Sequence, residues 1–229
     1  MKLAALFSGG KDSTFAVYEA QKLGHKVKCL ITILPLSADS HLLHHPNIGA
    51  TALQAHSMRI PQILVKSDSV DPEKESELIK ETLARAKAEH DIEGIVHGGI
   101  LSEFQRRMFV DAAKSLGLQV ISPLWQKDQK KYMNDLLSSG FEFIITAVSC
   151  DGLDRSWLGK KITRKDLDVL VELSKKYKFN LSFEGGEAET FVVNCPLFSK
   201  PIKITDSDIH WDGYRGMFEI VHSEIQDNA

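Results

Sequence analysis

Leu3 to Phe7 form a short apolar run, and a polar glycine turn separates it from a stretch where Phe15, Ala16, Tyr18, Ala20 and Leu23 recur on or near one helical face. The same alternation continues down the chain. Residues 27–34 form an apolar run without alternation, as a strand buried on both faces does. Residues 50–58 read as helix and 62–66 as a third strand. Residues 71–90 read as an amphipathic helix that starts at Asp71-Pro72 and carries a stripe of Leu78, Ile79, Leu83 and Ala86. A short strand at 94–97, a helix at 103–116, a strand at 119–122 and a helix at 132–138 follow. The apolar run 143–148 reads as the last strand of this half. Repeated βα units predict an α/β fold built on a parallel, Rossmann-like sheet with helices on both faces. Ligands of such sheets bind at the carboxyl ends of the strands, where Ser8 and Gly98 lie.

Near residue 150 the texture changes. Asp151-Gly152 and a basic stretch lead to a helix at 164–177, and strand-like runs follow at 191–194, 202–205 and 216–225. Asp212-Gly213 between the last two favours a hairpin. The pattern predicts two domains, 1–150 and a smaller α+β part at 151–229.

Composition narrows the class. Hydrophobic residues make up 43% of the 229, enough for a sizeable core, and the net charge of −3 argues against broad capture of nucleic acid. Cys29, Cys150 and Cys195 lie far apart and form no CxxC pair, which predicts a reducing compartment without disulfides. No run approaches the ~20 apolar residues of a membrane span, and the start lacks a signal-peptide layout. These features predict a cytoplasmic protein with no membrane or nucleic-acid partner. Self-association through the hairpin edge near 216–225 stays open.

The chemistry is concentrated in Ser8-Gly9-Gly10-Lys11-Asp12-Ser13. Strand, glycine turn and helix in that order present backbone N–H groups and a positive helix end to an anion. Lys11 adds charge; Ser8 and Ser13 add hydroxyls. Asp12 repels phosphate unless a metal ion lies between them, and it also suits a helix N-cap. A P-loop is excluded, because Ala5 stands where its first glycine belongs and Asp12 follows the lysine. The glycine spacing likewise fails the dinucleotide fingerprint.

SGGKDS resembles the pyrophosphate loop of the N-type ATP pyrophosphatases. Three further blocks extend the likeness: Leu42-Leu43-His44-His45-Pro46-Asn47 with Gln54-Ala55 and Ile60-Pro61; Gly98-Gly99-Ile100-Leu101-Ser102-Glu103-Phe104-Gln105-Arg106 with Pro123-Leu124-Trp125; and Gly185-Gly186-Glu187-Ala188-Glu189-Thr190-Phe191 with Pro196-Leu197-Phe198. Together they resemble the diphthine–ammonia ligase family over nearly the whole chain. One departure stands out: Val110 and Ala113 occupy positions where the family usually carries a glutamate and a cysteine.

The resemblance implies ATP-dependent amidation of the diphthine side chain of translation elongation factor 2, with ammonium as nitrogen source and Mg²⁺ as cofactor. An acyl-adenylate forms as pyrophosphate leaves, and ammonia then displaces AMP. It makes 1–150 the nucleotide domain, with Ser8, Gly9, Gly10, Lys11, Asp12 and Ser13 on the phosphates, Ile33 near adenine, Gly98 and Gly99 close to the nucleotide, and Asp12 on the metal. Lys11, Asp12 and Glu187 are the expected catalytic residues. His44, Asn47, Glu103, Gln105, Arg106, Glu184, Gly186, Glu187, Glu189 and Thr190 are expected on the substrate side, with the glutamates drawing in diphthine's trimethylammonium and the ammonium. Trp157, Trp211 or Tyr214 are candidates for an aromatic face over that cation. Two other readings stay open: a pyrophosphatase that adenylates a small carboxylate or a tRNA base, and a non-catalytic ATP sensor.

Overall fold

A computed structural model describes residues 1–35, 47–67 and 71–226. The first strand, β1 (Lys2–Leu6), lies at the centre of a five-stranded parallel sheet. Around it stand β2 (Lys26–Pro35), β3 (Gln62–Ser67), β4 (Gly94–Val96) and β5 (Gln119–Ile121), in the order β3-β2-β1-β4-β5. The order reverses at β1, so the crevice beyond β1 and β4 is the switch point where ligands of such sheets bind. Helices α1 (Lys11–Lys22), α2 (Thr51–Met58), α3 (Pro72–His90) and α4 (Glu103–Ser115) connect the strands. Asp71 starts α3 as expected, accepting the Glu73 N–H. Next come α5 (Gln129–Ser138) and α6 (Arg164–Tyr177), the latter begun by a reciprocal Thr163–Asp166 capping box.

The run expected to close this sheet does not join it. β6 (Glu142–Val148) pairs antiparallel with β7 (Ala188–Asn194) and β9 (Gly216–Ile225) in a second sheet of order β7-β6-β9-β8. An unbroken apolar run reports burial on both faces and is silent on which strands lie alongside. The hairpin at Asp212-Gly213 forms between β8 (Ile202–Trp211) and β9. β8 runs well past the expected 202–205, because its exposed outer half is polar and lacks an apolar signal.

Two cores result. One face of the parallel sheet packs on α3 and α4 through Ile79, Leu83, Ala86, Ala112 and Ala113. Ala113 is fully buried there. The other core is continuous between the sheets, joining Leu3, Phe15 and Tyr132 to Phe143, Phe191 and Val192. Continuity of this core seats the second sheet on the SGGKDS loop. The three cysteines are free, and burial pushes the Cys29 and Cys195 thiols up to about 12 and Cys150 to about 11. They behave as small packing residues.

Candidate active site

The loop follows β1 directly and hands over to α1 at Lys11. Ser13 Oγ accepts the Ser8 N–H at 3.2 Å and lies 3.1 Å from Ser8 Oγ, which closes the turn. Gly9 adopts φ +80°, and any side chain there would meet Gln54. Gly10 occupies the helix N-cap and offers no capping side chain. The expectation that Asp12 caps α1 is therefore corrected: it sits inside the first turn and points its carboxylate elsewhere.

The second sheet holds this loop from below. The Val192 N–H donates to the Gly9 carbonyl at 3.0 Å, and Gln54 Nε2 donates to the carbonyls of Gly9 (2.9 Å) and Val192 (2.8 Å). Thr190 Oγ1 accepts the Lys11 N–H at 3.1 Å. Lys11 itself is 1% exposed. Its ammonium donates to both Asp12 oxygens (3.0 and 2.9 Å) and to the Ser182 carbonyl (2.6 Å), and stands 5.2 Å above the Phe183 ring. Phe183 has φ +62°, a costly conformation for a bulky residue, within the loop that presents that carbonyl. Asp12 also accepts from the Tyr132 hydroxyl.

The three glutamates expected to attract cations have separate roles. Glu184 Oε1 accepts the N–H groups of Ile100, Leu101 and Ser102 at 2.9, 3.1 and 3.2 Å, so it ties down the turn that leads into α4. Glu187 accepts from Asn180 N (2.8 Å), Asn180 Nδ2 (2.7 Å) and Gly185 N (2.8 Å). In this structure the carboxylate shapes the 180–187 loop, with Gly186 at φ +78° completing the turn. Glu189 stands beside Lys11 and Asp12, and burial pushes its carboxyl up to about 8 against the opposing pull of Lys11. A carboxyl held there can exchange a proton near neutral pH.

Gly98 packs directly on the loop. A Cβ there would fall 2.5 Å from the Asp12 carbonyl carbon and 2.7 Å from the Ser13 nitrogen. His97 fixes this turn: its Nδ1 accepts the Gly99 N–H at 3.1 Å, so Nε2 carries the proton toward Ser122 Oγ at 2.6 Å. Burial, with Arg106 adding repulsion, lowers the His97 pKa to about 4. The unfolded chain therefore binds a proton near 6.5 that the folded chain refuses until about 4. This contribution to stability is full above pH 6.5 and is lost as pH falls toward 4. Glu189 acts in the opposite sense between 4.5 and 8, so the isolating comparison is with His97→Gln. The advantage of the native chain over that variant in urea unfolding should shrink by about 2 kcal/mol between pH 7.5 and 5.

The remaining predicted residues scatter. Asn47, at φ +73°, clasps β9 by donating to the Phe218 carbonyl (2.8 Å) and accepting the Ile220 N–H (2.6 Å). Ile33 buries its side chain in the α3/α4 core. Arg106 lies over Trp125 at 4.7 Å, with Glu103 3.8 Å away and exposed. Trp157 is covered by the Lys160 ammonium at 4.6 Å and Trp211 packs against the core, while Tyr214 is exposed. No aromatic cage forms from these three. His44 and the side chain of Gln105 lie outside the described residues. Gln54, His97, Tyr132 and Ser182 belong to the site and were missed as functional residues. Gln54 lies in a quoted block, whereas Tyr132 has only the signature of a helix core position.

Among the described residues no group of three or more His, Cys, Asp or Glu side chains is placed to hold a metal ion. Asp12, with its side chain 29% exposed, is a hard oxygen donor at the loop. One carboxylate fits Mg²⁺, which keeps waters and takes its other ligands from substrate phosphates.

Residues 1–136 match the family described as diphthamide synthase N-terminal domain, and residues 128–225 match the diphthamide synthase C-terminal domain. Relatives named diphthine–ammonia ligase include those of Bos taurus and Homo sapiens, each 34% identical over 227 residues, covering 91% of this chain and 85% of theirs. The Schizosaccharomyces pombe relative of the same name is 35% identical over 224 residues, and the match spans 91% of this chain but 37% of that longer protein. Loop, glycine turn and glutamate-rich strand entry thus coincide with a match along almost the whole length, and the chain belongs to the diphthamide synthase family.

Proposed function

We propose that this chain is a diphthine–ammonia ligase: it amidates the diphthine side chain of translation elongation factor 2, using ATP and ammonium, and releases AMP and pyrophosphate. The observation that supports it most directly is the start of α1, where Gly10 brings no capping side chain and Gly9 and Gly10 turn the chain at the sheet's switch point beside a buried lysine. In this reading the parallel sheet carries the nucleotide, and the second sheet, clamped to the same loop, brings the acyl substrate. The diphthine carboxylate attacks the α-phosphorus, pyrophosphate leaves, and ammonia then adds to the acyl carbon and expels AMP. Each ammonium loses two protons on becoming the amide nitrogen, and Glu189 is the carboxyl suited to receive one.

Two anions meet in the first step, so neutralising charge is its largest requirement. The loop N–H groups and Lys11 meet the phosphates, with Lys11 exchanging its present contact to Asp12. Asp12 is the residue that would hold Mg²⁺, and the ion would supply further positive charge there. No helix among the described residues is long and apolar enough to cross a membrane. A cytoplasmic location follows from the substrate, a translation factor.

The test is amidation of diphthine-bearing elongation factor 2 by purified protein with Mg-ATP and an ammonium salt, read by product mass together with AMP and pyrophosphate. Amide and AMP in equal amounts are expected, each dependent on both the factor and ammonium. Pyrophosphate released with other carboxylates but without amidation of the factor would overturn the substrate assignment.

A further inference from the structure

Tyr132 plays no part in the reaction drawn above, yet its hydroxyl reaches the carboxylate to which the metal–phosphate contact is assigned. It comes from α5, at the far side of the core, and is fully buried. Its ring packs against Phe15, an aromatic of α1, at 5.7 Å. A buried phenol needs a hydrogen-bond acceptor. Here the acceptor is Asp12 Oδ1, which also receives the Lys11 ammonium at 3.0 Å, while Oδ2 receives it at 2.9 Å. Lys11 alone leaves the carboxylate free to turn with the lysine chain. A second donor from a different element removes that freedom, because ring and helix are both packed.

We propose that Tyr132 is a positioning residue whose hydroxyl, bonded to Asp12 Oδ1, holds the Asp12 carboxylate in the orientation in which the loop receives Mg-ATP. The proposal rests on the ATP-binding reading given above. It adds a residue from α5, a helix that no part of the loop motif predicts.

Tyr132→Phe keeps the ring and its packing and removes only the hydroxyl. The measurement is equilibrium binding of α,β-methylene ATP across a Mg²⁺ titration, without elongation factor, alongside thermal melting. The Mg²⁺ concentration for half-maximal binding should rise about ten-fold, as expected for loss of one hydrogen bond to a charged group. In an Asp12→Asn background the same substitution should change nothing further, because the hydroxyl acts through that carboxylate. A Tyr132→Phe protein that melts lower but keeps the native Mg²⁺ dependence would overturn the proposal, as would an equal shift in both backgrounds. Failure of the ATP reading itself would be seen separately, as a native protein whose nucleotide binding ignores Mg²⁺.

Discussion

Lys11→Ala should lower pyrophosphate formation about 10²–10³-fold, equivalent to roughly 3–4 kcal/mol of lost electrostatic stabilisation. The ammonium is the single positive side chain seated in the loop, and it is buried, where a charge acts through less screening than at the surface. Its removal has a structural side as well. Asp12 keeps Tyr132, but the Ser182 carbonyl loses its 2.6 Å donor and a cavity opens beside Phe183. Because water reaches the Asp12 side chain, the unpaired carboxylate costs less than a fully buried one, and the stability loss should be about 2 kcal/mol. Lys11→Met separates the two effects. It refills the volume without the charge, so urea unfolding should recover the part of its midpoint lost to the cavity while pyrophosphate formation stays low. Near-native turnover in Lys11→Met would show that the lysine acts by packing alone.

Gly98→Ala should be nearly as damaging, although no reacting group changes. The new methyl would lie 2.5 Å from the Asp12 carbonyl carbon and 2.7 Å from both the Asp12 oxygen and the Ser13 nitrogen. These are backbone atoms at the start of a helix, and no rotamer change relieves the clash. Either the β4–α4 turn or the phosphate loop must move. Overpacking of this kind costs about 1–3 kcal/mol in stability. A shift approaching 1 Å in a positioned loop costs about 10²-fold in rate. Gly49→Ala is the matched control, since a Cβ there meets nothing within 4 Å. Steady-state AMP formation and thermal melting of the pair should show a large loss in Gly98→Ala and little change in Gly49→Ala.

Much of the fold was legible because its signals are local. Strands with unbroken apolar runs, helices with a one-sided stripe, and the turn at Asp212-Gly213 depend on residues within one element. SGGKDS is likewise self-contained: six consecutive residues place a glycine turn, a lysine and a helix start on the carboxyl end of β1. Asp71-Pro72 marked a helix start for the same reason. The glutamate-rich entry to β7 was visible too, but its three carboxylates looked alike. Spacing along the chain cannot say that Glu184 reaches 82–84 residues back to the start of α4, or that Glu187 folds onto Asn180.

By itself, then, the sequence determined the βα alternation, the phosphate-type loop and its lysine, and the family to which four separate blocks belong. Only the tertiary structure decided that β6 joins the second sheet, that Lys11 is bonded to a carbonyl 171 residues away, that Asn47 clasps β9, and that Tyr132 and Glu189 converge on Asp12. The division follows from range. Periodicity and turn chemistry report how a segment meets its own backbone and whether it is buried. Hydrogen-bond partners and shifted pKa values are set by whichever distant segments the closed core brings alongside.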